Sequence, residues 1–85
     1  MNIDKFLDEE NKIKTWPSKR ELKIAVLSYL SEKFDKGTYY TEKEVNEIIN
    51  TWHTFGDFFL LRRELIDKKF LTRTNDGAMY WKEEK

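Results

Sequence analysis

Three times along this chain a side chain able to accept a backbone hydrogen bond stands directly ahead of apolar residues at helical spacing. Ser18 precedes Leu22, Val26, Tyr29, Leu30 and Phe34, a stripe widened by Ile24 and Leu27, and Glu21 completes a capping box. Thr41 precedes Val45, Ile48, Ile49 and Trp52, with Glu44 in the reciprocal position. Asp57 precedes Phe58, Leu61 and Leu65. Pro17, the only proline, stops any helix before it. The spacing therefore predicts helices over 18–34, over 41–52 and from 57 to about 69, the last ending in Lys68-Lys69, a charge favourable to the helix dipole.

What lies between and after these stripes is short and β-prone. Asp35-Lys36-Gly37 offers a left-handed stop, and Thr38-Tyr39-Tyr40 fits a single strand. Residues 70–74 and 78–82 flank Asn75-Asp76-Gly77, a turn of residues that tolerate positive φ, which predicts a hairpin. Ahead of the helices, Phe6, Leu7, Ile13 and Trp16 surround the polar stretch Asp8-Glu9-Glu10-Asn11, read as a helical turn followed by an extended piece. The expected fold is α+β and mostly helical: a winged helix-turn-helix with three core helices, a short strand and a C-terminal β-hairpin wing. One domain is expected over 1–85, comprising a lead segment (1–17), a core (18–82) and a frayed tail (83–85).

Composition narrows the chemistry. A chain of 85 residues has a thin core, and aromatic residues at 15% supply its bulk. Sixteen basic residues balance 16 acidic ones, so no global positive field draws in polyanions. The absence of cysteine excludes disulfides and thiolate metal sites. Charges break up the apolar positions near the N-terminus, leaving no run longer than Phe6-Leu7, and no apolar run approaches a membrane span, so a cytoplasmic, membrane-free protein is expected.

Several stretches together resemble a bacterial family catalogued as domain of unknown function 2087. They are Phe6-Leu7-Asp8, Trp16-Pro17-Ser18-Lys19-Arg20, Tyr40-Thr41-Glu42-Lys43-Glu44-Val45-Asn46, Leu61-Arg62-Arg63-Glu64-Leu65, and Asp76-Gly77 with Tyr80-Trp81. The resemblance implies a winged-helix-like domain, found alone or appended to helix-turn-helix regulators, with no established activity. It also implies a histidine followed by an aspartate near the start of helix 3, here His53 and Asp57, separated in part by Phe55-Gly56.

As a groove reader, helix 3 should present basic and amide side chains outward. With Phe58, Leu61 and Leu65 inward, the outward set is Leu60, Arg63, Glu64 and Asp67, with Phe59 on the flank. Residues 41–52 are acidic, with Glu42, Glu44 and Glu47 against Lys43, whereas helix 1 is basic near its start. Candidate nucleic-acid contacts are Lys19, Arg20, Lys23, Arg63 and Arg73, while Arg62 is expected to form a structural salt bridge to helix 2. The alternative is a protein-interaction or dimerisation module anchored on Phe59 and Leu60 with Arg63 at its rim. His53 is read as satisfied by the Asp57 cap, and Asp4, Asp8, Glu9 and Glu10 as a solvated turn. No enzyme activity, catalytic residue, metal, cofactor or small-molecule substrate is expected. The predicted function is a non-catalytic module in bacterial transcription regulation.

Overall fold

The structure, a computed structural model, describes residues 2–83. A 3-10 turn (Asp4–Phe6) leads into three α-helices, α1 (Arg20–Ser31), α2 (Glu42–Thr51) and α3 (Phe58–Asp67). An antiparallel hairpin, β1 (Thr72–Arg73) and β2 (Tyr80–Trp81), follows with Thr72 opposite Trp81 and Arg73 opposite Tyr80. The fold is α+β and mostly helical, with its sheet at the C-terminal end, and its element order is consistent with a winged helix. Residues 84 and 85 of the expected tail lie outside the described residues.

Two of the three cap signals act as expected. The Thr41 hydroxyl accepts from Glu44 N–H at 3.1 Å, and the Glu44 carboxylate accepts from Thr41 N–H at 2.8 Å, closing the capping box of α2. Asp57 Oδ1 accepts from Leu60 N–H at 3.0 Å and starts α3. The Ser18 box does not form. Pro17 is buried, the chain bends at Ser18 and Lys19, and α1 begins at Arg20 with an extended Lys19 as its N-cap and no side-chain cap. This start leaves Glu21 one position short of the capping-box site.

Helix α1 also ends before Phe34. Beyond Ser31 the amides of Glu32, Lys33 and Phe34 bond three residues back, to Tyr29, Leu30 and Ser31, and the tighter turn swings Phe34 into the core. Gly37 does adopt positive φ, 78°, but in the turn beyond the helix. The predicted strand over 38–40 contracts to Tyr40, which exchanges two 2.8 Å main-chain bonds with Tyr80 and extends the hairpin by one rung. Tyr40 also meets Phe34 edge to face, with ring centroids 5.4 Å apart.

The core joins Val26, Leu27 and Leu30 of α1 to Val45 and Ile49 of α2 and to Leu61 and Leu65 of α3. Leu71 and Tyr80 close it from the hairpin, and Phe6 and Ile13 from the lead segment. Ile24, expected to widen the α1 stripe, is exposed. The lead segment folds on itself between Leu7 and Ile13, its bend held by Asp8 Oδ1, which accepts from the amides of Glu10 and Lys12 at 2.9 Å each. Ile13 N–H then bonds Trp52 C=O at 2.8 Å, and Thr54 N–H bonds Ile13 C=O at 2.9 Å.

Helix α3 ends in a Schellman arrangement: Phe70 N–H reaches Leu65 C=O at 2.8 Å and Lys69 N–H reaches Ile66 C=O at 3.0 Å. The left-handed position this motif requires is occupied by Lys69, at φ 66°. A lysine there pays a steric cost that glycine avoids, partly offset by glycine's greater freedom in the unfolded chain. Lys69→Gly should raise unfolding stability by about 0.5–1 kcal/mol in urea titration; a loss would show that the lysine side chain stabilises the helix end.

At the hairpin tip Asp76 Oδ1 accepts from the Thr74 hydroxyl at 2.7 Å and from Ala78 N–H at 3.0 Å. The Thr74 hydroxyl, then the Ala78 amide, with a smaller contribution from the Arg73 charge, hold the Asp76 carboxyl below the usual aspartate value. A depressed folded-state pKa means that its contribution to the turn is complete above the unfolded value and disappears as pH falls through the folded one. NMR titration should place the Asp76 midpoint below that of an unstructured aspartate, with the Ala78 amide reporting the same midpoint. Thr74→Val should move both upward.

Candidate functional site

A groove of about 450 Å³ between α3 and the hairpin combines charge with apolar surface. Its helical wall is made of Phe59, Arg63, Ile66 and Asp67, and Arg73 and Tyr80 face them from the hairpin. The position of α3 follows from three constraints. Asp57 sets its start, Leu61 and Leu65 bury its inner face, and Arg62 ties it to α2. The Arg62 guanidinium lies 3.1 Å from Glu42, hydrogen-bonds Asn46 Oδ1, and sits 5.8 and 5.2 Å from the Phe58 and Phe59 ring centroids. The salt bridge to α2 expected of Arg62 is present, with the Arg62 side chain 13% exposed and that of Glu42 48% exposed.

The free face of α3 is turned slightly from the one a helical wheel gives. Phe59 is 57% exposed and the Arg63 side chain 71% exposed, whereas Leu60, expected to point outward, is half-buried. Glu64 is also mostly covered and pairs with Lys68 at 3.5 Å. Both α1 and α2 pack on α3, so two flanks are covered and the open strip narrows to Phe59, Arg63 and Asp67.

Among the expected contact residues, the structure brings Arg63 and Arg73 to one groove. Arg63 approaches Asp67 only at 3.9 Å, in an exposed setting where such a pair contributes little. Arg73 donates to the carbonyls of Thr74 and Asn75 at 3.0 and 3.1 Å, which orients its guanidinium at the hairpin. Lys19, Arg20 and Lys23 lie at the start of α1, outside the groove lining: Lys23 lies 5.8 Å from the Trp16 ring centroid, and Arg20 borders a neighbouring hollow with Ile24, Asp67 and Lys68. Ile66 and Tyr80 complete the groove floor and carried no individual signal in the sequence, since their meeting depends on the hairpin folding back beside α3.

His53 is buried in the α2–α3 turn, and both ring nitrogens are engaged. Nδ1 lies 2.7 Å from Ile49 C=O, and Nε2 lies 3.0 Å from Asp57 N–H, so the ring carries its proton on Nδ1. Its partner is therefore the Asp57 backbone amide and not the carboxylate, which faces Leu60. The two side chains do not form an acid–base pair. Among the described residues no group of histidine and carboxylate side chains is arranged to hold a metal ion, and no helix is long and apolar enough to cross a membrane.

Residues 12–82 match the family described as an uncharacterized protein conserved in bacteria, DUF2087. No curated protein and no solved structure matches the chain.

His53→Ala would leave the Asp57 amide without its acceptor and open a void beside Phe55, whose ring centroid lies 4.8 Å away. Chemical denaturation should show a loss of about 2–3 kcal/mol. An unchanged midpoint would show that water takes over both hydrogen bonds.

Proposed function

This chain belongs to the bacterial DUF2087 family, and we propose that it is a non-catalytic winged-helix module that contacts nucleic acid in bacterial transcription regulation. In this reading α3 is the helix offered to the nucleic acid and the hairpin is the wing. The observation that carries it is the convergence of Arg63 and Arg73, from two separate elements, on one open groove. Neither guanidinium is consumed by a close ion pair, and a guanidinium forks readily onto two phosphate oxygens. Glu42 and Asp67 also border the groove, so the attraction is modest and suits a backbone contact better than tight sequence reading.

One observation favours a second reading. Phe59 is a large, exposed ring on the rim of the same groove, and aromatic rings are common anchors of protein interfaces. With Leu60 half-buried, that anchor rests on Phe59 beside Arg63.

Fluorescence anisotropy with labelled duplex and single-stranded DNA at low salt decides between them. Nucleic-acid binding should weaken linearly in log affinity against log salt, and Arg63→Glu or Arg73→Gln should each reduce the slope by about 1. If neither nucleic acid binds, and sedimentation shows self-association that Phe59→Ser abolishes, the groove is a protein contact.

A further inference from the structure

Among the described residues, several lysines without an ion-pair partner lie outside the groove. Lys36 from the turn after α1, Lys68 and Lys69 from the end of α3, and Lys82 after β2 line one depression of about 510 Å³, floored by Phe70. Their convergence is a consequence of the fold. The Tyr40–Tyr80 main-chain pairing lays the segment carrying Lys36 beside β2, and the Schellman turn brings Lys69 to the same side. Lys68 is tied to Glu64, but among the described residues no carboxylate pairs with Lys36, Lys69 or Lys82. Among the described residues Glu83 is the one acid in the lining, and its Oε1 accepts from the Thr72 hydroxyl at 2.9 Å.

Three features set this surface apart from ordinary solvated charge. Four lysines stand against one carboxylate among the described lining residues, a balance that favours an anion. Lys69 stands in a left-handed position where glycine is the usual residue, so backbone strain is tolerated where a cationic side chain joins the cluster. The depression is also continuous with the groove. It shares Lys69 and Glu83 with a hollow along β1, and that hollow shares Ile66 and Arg73 with the groove beside α3.

We infer that this lysine face is a second, sequence-indifferent contact for a nucleic-acid backbone, continuing past the hairpin from the Arg63–Arg73 groove. The inference rests on the nucleic-acid reading of that groove. Composition selects a phosphodiester chain over an acidic protein. Lysine is depleted at protein interfaces, the only large apolar group here is the half-buried Phe70, and an ammonium is a point charge that suits phosphates without reading bases.

The test is the double variant Lys36→Gln/Lys82→Gln, compared with wild type and with Arg63→Glu in the same salt titrations of duplex and single-stranded DNA. Thermal unfolding followed by circular dichroism confirms that each variant folds. The lysine variant should lose about 1.8 from the log–log salt slope on duplex, or about 1.4 on a single strand, independently of the loss at Arg63. A slope equal to wild type, while Arg63→Glu still lowers it, overturns the lysine face and leaves the groove reading intact. No binding of either nucleic acid by the wild type overturns the groove reading itself. Binding of a polyglutamate peptide that depends on Lys36 and Lys82, without binding of DNA, overturns the inference in favour of an acidic protein partner.

Discussion

The architecture depends on how the turn between α2 and α3 is satisfied. A six-residue connection, 52–57, packed against a core must find partners for its buried backbone groups, because each one left unpaired costs about 1–3 kcal/mol. Ile13 supplies two of them, taking Trp52 C=O and Thr54 N–H, and His53 bridges Ile49 C=O to Asp57 N–H. The lead segment is thereby part of the core and no mere extension, with Ile13 fully buried at its centre. Fixing this turn fixes the angle between the helices. Arg62 can then span from α3 to Glu42 and Asn46, and the outer face of α3 is left facing the hairpin.

Features governed by nearest neighbours were readable from residue types alone. The Thr41–Glu44 box and the Asp57 cap each need only residues three positions apart, and the turn at 75–77 needs only Gly77 in the left-handed region, at φ 72°. The Ser18–Glu21 box has the same spacing and fails because the chain bends at Ser18 and Lys19 behind the buried Pro17 and α1 starts only at Arg20, a boundary without a local signature. Leu60 is misplaced by a helical wheel for a related reason: a wheel assumes one buried direction, and α3 is packed from two.

The candidate site divides in the same way. Arg63 and Arg73 stood out individually as exposed bases on a helix and a wing, and Arg62 as a bridge to α2. That Arg63 and Arg73 share a groove depends on the hairpin folding back beside α3 through contacts distant in sequence. The lysine face was further from view. Lys68-Lys69 reads as complementing the dipole of α3, and nothing local connects that pair to Lys36 or Lys82.

A zero net charge does not make a neutral surface, because the fold uses its acids and bases for different purposes. Four acids serve as hydrogen-bond acceptors for backbone amides: Asp8 in the lead turn, Glu44 and Asp57 at helix starts, Asp76 in the hairpin. Others are held by side-chain donors, Glu42 by Arg62 and Glu64 by Lys68. Bases have fewer such uses, since a lysine offers no acceptor and backbone carbonyls inside helices are already bonded. Arg62 and Lys68 are committed to ion pairs, and Lys33 lies against aromatic rings, 3.9 Å from the Trp52 centroid. The structural demand on carboxylates scatters them among turns and caps, while several lysines remain free to gather. Where backbone topology brings those together, a chain with 16 charges of each sign acquires a positive face.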